Sequence, residues 1–482
     1  MTEPLWTSDE IGAVTGGRMS GVFEVSGVSI DTRSLEAGDL FVALKDARDG
    51  HDFVPAAFQA GAAAALVERE VEGATGPLVI VDDALEALRK LAAASRERTS
   101  AKVIGVTGSV GKTGVKEMLR AALSPSGLTH AAERSFNNHW GVPLTLARMP
   151  RGAAFAAVEM GMNHAGEIGP LSRLGKPDVA IITTIAPVHM ASFERVEQIA
   201  DAKAEIFEGL APGGTAILNL DNAYFEQLAE KARAEGAKIV TFGEAANADA
   251  RIDGIRVAST ATVVKGELHG RPLVFKIGAP GAHLAMNAMA ALAAVDAAGG
   301  DLAKATLALG SWTTPEGRGS RWRIALGEAG IDGEITLIDE SYNANPTSAR
   351  AALAVLGAAP TTDNVGRIDR GRRVAFIGDM LELGPREMEM HAELAQAPEM
   401  KDIDTVYTCG TLSLSLHASL PSEKKGKHYP SSAEMAAEAG RRLDAGDVAM
   451  VKGSLGSKMS VVVDAIRKMG QAQRDNGREG GE

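Results

Sequence analysis

From Lys102 onward, short apolar runs alternate with segments of helical period. The runs are "KVIGVTG", "AAFAAVEM", "PDVAIITTIAP" and "GGTAILNL". Runs of that length, bounded by glycine and proline, read as buried parallel strands joined by crossover helices. A later alanine-rich helix, "HLAMNAMAALAAVDAAG", closes this unit near "TTPEGRGS". A third segment repeats the alternation with "EITLIDE", "RVAFIGDM", "DTVYTCG" and "DVAMVKGS". Between its first two strands, the polar "TTDNVGRIDRGRR" reads as a loop of low functional weight. Before Lys102, strand-like "DLFVAL" and "PLVIVDD" mix with Ala-rich stretches, and "ALEALRKLAAASRERTS" reads as a connecting helix. The pattern predicts an α/β chain of three domains, residues 1–98, 99–318 and 319–482. The charged tail "RKMGQAQRDNGREGGE" is expected to fray.

Composition narrows the picture. With 4% aromatic residues, the cores must be built from Ala, Val, Leu and Ile. A net charge of -12 argues against a nucleic-acid-binding body, since phosphate backbones are met by basic surfaces. It leaves room for a local basic pocket. The N-terminus has early acids and no basic-then-apolar signal, and the apolar stretch Ala62 to Val67 is too short to cross a bilayer. Cys409 is the single cysteine, so no intrachain disulfide forms and a reducing compartment fits. Its strand-like surroundings mark it as core. These features lead to the expectation of a cytoplasmic protein with no nucleic-acid partner and no membrane insertion.

In an open parallel sheet, ligands gather beyond the carboxyl ends of the strands. No strand here leads into Gly-x-Gly-x-x-Gly, which counts against a dinucleotide enzyme. The first central strand ends in Gly108-Ser109-Val110-Gly111-Lys112-Thr113 and runs into a helix. Val106 stands where the strict phosphate-loop pattern has its first glycine. Successive glycines still let backbone N–H groups face a phosphate, aided by the helix N-terminus. Lys112 would contact the terminal phosphates of a nucleotide and Thr113 a Mg²⁺. Glu159 and His189 end neighbouring strands and read as Mg²⁺ ligands or outer-shell groups; singly, each is equally a solvated strand end or a packed loop residue. Lys203 reads by composition as a surface lysine on an amphipathic helix. Asp339 and Glu340 open the polar loop "SYNANPTSAR", a fixed functional loop or a simple turn before a helix. Arg318, between glycines, could reach a phosphate bidentately or could be a solvated linker residue.

Taken in order, "TGSVGKT", "EMGMNHAGEI", "AKAEIF", "PEGR" and "GDMLELG" resemble the Mur ligase family, the ATP-dependent amino-acid and peptide ligases of peptidoglycan synthesis. The resemblance covers nearly the whole chain. "SFNNHWGVPLTL", "EMGMNHAGEIG" and "IDESYNANP" look most like the member that adds a dipeptide. It implies an N-terminal UDP-sugar domain, a central P-loop ATPase domain with a parallel sheet and a C-terminal Rossmann-like domain. It implies ATP and two Mg²⁺ ions, with UDP-N-acetylmuramoyl-tripeptide and D-alanyl-D-alanine as partners of a monomeric enzyme. Lys112 and Thr113 match the phosphate lysine and magnesium hydroxyl, Glu159 the magnesium glutamate, and His189 the histidine near a second ion. Lys203 aligns with a lysine carbamylated in several relatives, which overturns its bland reading. Asn287 resembles the adenine asparagine, Arg318 the γ-phosphate arginine, and Asp339 the aspartate that closes over ATP, with Asn343 and Asn345 on the nucleotide-side loop. Thr32 and Arg33 of "DTRS", and Gly50 and His51 of "DGHDF", match the UDP-sugar motifs, while Asn137 and Asn138 fall to the substrate side.

Three departures stand out. His283 is followed by Leu284 rather than asparagine, the common Asp-Asp becomes Asp339-Glu340, and His139 replaces an acid or amide. The rival readings are a sister ligase adding the third amino acid, folylpolyglutamate synthase, a P-loop switch without ligation, and a dead homologue. Because Arg318 and Asp339 lie at or beyond the end of the central unit yet must reach ATP, an open free form and a closed liganded form are expected.

Overall fold

The computed structural model describes residues 3–475. Three α/β layers follow one another along the chain, each built on its own sheet. The first sheet orders Arg18–Met19, Leu78–Ile80, Ala64–Val67, Asp39–Val42 and Gly27–Ser29, parallel except at the Arg18–Met19 edge. The helix Ala84–Glu97, expected as a connector, does more than connect. Ala84, Ala87, Leu88 and Leu91 fill the N-terminal core, while Ala92 belongs to a central one.

The central sheet has nine strands. Its parallel part runs Ala250–Val257, Lys238–Gly243, Thr215–Asn219, Val179–Ile182, Lys102–Thr107, Phe155–Glu159 and Thr129–Ala131. The chain leaves Lys102–Thr107 toward one side of the sheet and returns on the other. That reversal opens a crevice at the strand's carboxyl end, where ligands of open sheets bind. The parallel sheet expected from the sequence is present, and it carries an antiparallel extension at one edge. Thr262–Leu268 and Arg271–Ile277 extend it as antiparallel hairpins. One face of this extension is solvated, so its strands alternate buried and exposed residues instead of forming apolar runs. The alanine-rich helix Ala282–Ala297 is buried on most sides against the sheet. Small side chains let it lie close, and it carries Asn287 to the phosphate loop.

The C-terminal sheet orders Lys425–Tyr429, Thr405–Cys409, Arg373–Ile377, Val448–Lys452, Glu334–Glu340, Ser320–Ala325 and Gln471–Arg474. It is parallel up to Glu334–Glu340, and its last two strands are antiparallel. Part of the tail expected to fray is therefore a strand, Gln471–Arg474, paired with Ser320–Ala325. Residues 476–482 of that tail lie outside the described residues. The polar loop around residues 361–373 is anchored by Asp444 and Asp447, which accept from the Ile368 and Arg372 amides and pair with Arg367 and Arg372. Cys409 is buried, and burial pushes its thiol up to about 12. No helix among the described residues is long and apolar enough to cross a membrane.

Candidate active site

The carboxyl ends of the central and C-terminal sheets open into one cavity of about 1380 Å³. Its central wall is the turn after Lys102–Thr107. Gly108 has φ +145° and Gly111 φ +90°, and a Cβ on Gly111 would lie 2.7 Å from Asn287 Oδ1. Only glycine permits both this backbone and this approach. Gly111 caps the helix Lys112–Leu123, whose free N–H groups face the cavity. The Thr113 hydroxyl donates to Glu159 Oε2 at 2.9 Å and lies 3.1 Å from Ser135 Oγ. Asn137 Nδ2 donates to Glu159 Oε1 at 2.8 Å. Hydroxyl and carboxylate oxygens are thereby gathered at the helix start. Asn138 serves differently: its Oδ1 accepts from Gly141 N, opening the helix Gly141–Ala147.

The opposite wall comes from the C-terminal domain and the turn leading into it. Arg318 Nη2 donates to Ser135 Oγ at 3.2 Å, and its guanidinium stacks 4.0 Å above the Tyr342 ring. Glu340, Asn343, Asn345 and Lys452 line the same cavity. Asn345 caps the helix Pro346–Gly357 through its Oδ1, which accepts from Ser348 N. Successive strand residues face opposite ways, so Asp339 falls outside the lining while Glu340 falls within it. Asp339 is buried and accepts from Ser341 N and Oγ. Burial raises its pKa, against the Ser341 hydrogen bonds.

The electrostatics are lopsided. Burial lowers the Lys112 pKa, Glu159 opposes that, and Arg318 adds to it. Lys112 Nζ donates to Gly108 O at 2.6 Å. Lys203 is 1% exposed, and burial, then the Lys112 charge, push its ammonium well below the usual range. Among the described residues neither lysine has an ion-pair partner. His189, at φ +54°, places Nδ1 2.8 Å from Glu382 Oε2. Burial lowers its pKa, as do Lys112 and Lys203, while Glu382 pulls it up. Buried cations without counter-charges cost several kcal/mol unless an anion arrives, so the cavity is suited to a polyanion. Among the described residues no cluster of His, Cys, Asp and Glu could hold a metal by itself.

The structure thus brings together Ser109, Val110, Gly111, Lys112, Thr113, Asn137, Asn138, Glu159, His189, Asn287, Arg318, Asn343 and Asn345. Gly108, Lys203 and Asp339 stand behind this lining. Thr32, Arg33, Gly50 and His51 lie apart from it. Arg33 grips Asp31, and that contact holds the Asp31 carboxyl at about 2. The buried His51 ring is committed to Asp49 and to the Glu68 amide. Sequence reasoning missed Ser135, Tyr342, Glu382 and Lys452. Lys452 carried a signal, because it ends a strand just as Glu159 does.

Residues 24–96 match the Mur ligase family catalytic domain, 106–295 the Mur ligase middle domain, and 323–455 the Mur ligase glutamate ligase domain. The chain is 36% identical over 448 residues to the UDP-N-acetylmuramoyl-tripeptide–D-alanyl-D-alanine ligase of Bacillus subtilis (strain 168), covering 91% of this chain and 92% of that one. It is 34% identical over 469 residues to the Escherichia coli (strain K12) ligase of the same name, covering 96% and 99%. Its fold is similar to a crystal structure of MurF from Acinetobacter baumannii, with TM-score 0.80, 28% identity and coverage of 97% and 99%.

Proposed function

The chain belongs to the Mur ligase family, and from that premise we propose how its cavity works. The protein is an ATP-dependent ligase that joins D-alanyl-D-alanine to UDP-N-acetylmuramoyl-tripeptide, making the pentapeptide precursor of peptidoglycan. The carboxylate ending the tripeptide is a poor electrophile. Its oxygen attacks the γ-phosphorus of ATP, ADP leaves, and the acyl phosphate so formed carries a good leaving group. The dipeptide amine adds to that carbonyl, gives up a proton, and the tetrahedral intermediate expels phosphate.

Phosphoryl transfer asks mainly for positioning and charge stabilisation. Residues 108–113 supply backbone N–H groups and the Lys112 ammonium from one wall, and Arg318 supplies its guanidinium from the other. Asn287 abuts the loop on the adenine side. Asn343 and Asn345 border the nucleotide, and Asp339 supports their loop through Ser341. Thr113 and Glu159 offer hard oxygen donors that fit Mg²⁺, an ion whose remaining ligands are usually phosphate and water. Held there, Mg²⁺ supplies charge neutralisation to the phosphates. A second ion would draw on His189 and on Lys203 after carbamylation, which turns a buried cation into an oxygen ligand. Thr32, Arg33, Gly50 and His51 are assigned to the UDP-sugar, and Asn137 and Asn138 to the peptide end. The setting is the cytoplasm and the working unit a monomer.

The observation that carries this reading is the convergence of Lys112, on the phosphate-loop wall, and Arg318, on the facing wall, upon one cavity. Product mass analysis with synthetic UDP-tripeptides, ATP and D-alanyl-D-alanine tests it, the expected product being the pentapeptide with stoichiometric phosphate. Phosphate release with meso-diaminopimelate but not with the dipeptide would sink it.

A further inference from the structure

Lys452 has no part in the reaction scheme above, yet it is 2% exposed and borders the cavity. It ends the strand Val448–Lys452 and sits in register with Glu340 on Glu334–Glu340. Its Nζ lies 3.4 Å from Glu340 Oε2 and donates to Asn343 O at 3.0 Å. Two residues on, Ser454 Oγ donates to Ala344 O at 3.1 Å. One strand end therefore grips two consecutive carbonyls of the loop between Glu340 and Pro346. The next residue back is Tyr342, whose N–H donates to Gly317 O and whose ring lies under the Arg318 guanidinium. The path from ammonium to guanidinium is continuous.

A buried lysine is costly to retain for packing alone. Burial lowers its pKa, and Glu340 counters that shift. An unbranched apolar side chain would fill the same space without desolvating a charge.

We propose that Lys452 is a positioning residue for the ligase reaction, acting through Asn343 and Tyr342 to hold Arg318 against the phosphate-loop wall. The proposal rests on the assignment of Arg318 to the transferring phosphoryl group. Misplacing such a group by about 1 Å can cost about 10²-fold in rate.

The test is a double-mutant cycle in the full chain, with Lys452→Met, Arg318→Lys and both together, following kcat and KM for ATP beside thermal melting. Lys452→Met is expected to lower kcat about 10²-fold with KM for ATP changed less than about 3-fold. In the Arg318→Lys background the same substitution is expected to cost less than about 3-fold, since the two changes interrupt one path. Equal losses in both backgrounds, or a rise in KM alone, would overturn the proposal. If Lys452→Met leaves Glu340 unpaired and the chain unfolded, the pair Lys452→Met with Glu340→Gln is put through the same cycle and judged by the same outcomes. A wild-type chain that does not ligate the dipeptide would instead overturn the functional reading, and this proposal with it.

Discussion

The two joints between the sheets are built on different physics. Where the N-terminal sheet meets the central one, the cores merge: Leu144 and Ala147, on a central helix, lie in the same cluster as Trp6, Leu40 and Leu66. Trp6 Nε1 donates to Ala147 O at 3.0 Å, and Arg96 Nε to Gly175 O at 3.0 Å. Where the central sheet meets the C-terminal one, neither C-terminal core cluster includes a central residue. The hydrogen bonds there include Arg318 to Ser135, Arg321 to Ser259 O, Arg474 to Thr314 O, and His189 to Glu382. An apolar joint cannot open without exposing its core, whereas a polar joint exchanges its hydrogen bonds for water at little net cost. The first joint makes one continuous shelf of the N-terminal and central units. The second is expected to let one wall of the cavity depart and return, as in hinge closure around a ligand.

The comparison breaks most sharply if one wall suffices for chemistry. Lys112→Ala on the phosphate-loop wall is expected to lower ligation by about 10²-fold or more while thermal melting does not fall, because the substitution removes a desolvated charge whose hydrogen bond there is to one backbone carbonyl. Turnover near wild type would refute the loop's role. Next in size, Leu144→Ala should cost about 2–5 kcal/mol and lower one transition shared by the N-terminal and central units. Two separate transitions, read by calorimetry, would show that the merged core does not couple them.

Acid should act on the mobile side through His391. Its Nδ1 faces Glu387 O at 2.6 Å and its Nε2 accepts from Met380 N, so the ring is held neutral, and burial lowers its pKa. The unfolded imidazole takes up a proton near pH 6.5 while the folded one resists. Stability at the C-terminal domain therefore falls as pH drops through that value. His391→Gln should flatten the difference in unfolding midpoint between about pH 7.5 and 5.5; an undiminished pH dependence would assign it elsewhere. The smallest effect is expected at Glu382→Ala. The pair it breaks is partly solvated, so stability should change by less than about 1 kcal/mol, while small-angle scattering of the ligand-free chain shifts toward a more open form. A loss comparable to that of Leu144→Ala would mean the second joint is not polar in its energetics.

Much of this was legible in the sequence because strand ends announce themselves. Apolar runs stopping at Thr107 and Glu159 located two sides of the phosphate wall, and motif order tied it to a family; the third strand, expected to end in His189, stops at Ile182, and His189 lies in the loop beyond it. What stayed hidden was tertiary in origin. Lys203 reads by composition as a surface lysine, and only packing reveals that its ammonium is buried among Ile199, Ala200, Ile206 and Phe207. Asp339 and Glu340 are adjacent acids, and the phase that turns Glu340 to the cavity depends on how two sheets are apposed. The antiparallel extension was readable in principle, since "TVVKGEL" alternates with period two, but a search tuned to parallel runs passes over it.

The strand Gln471–Arg474 has a consequence for synthesis. It pairs with Ser320–Ala325, the first strand of its own sheet, so that sheet gains this edge strand only after all its other strands have been synthesised. The shelf formed by the first two units can fold while translation continues. The C-terminal wall of the cavity is therefore synthesised after the phosphate-loop wall that it faces.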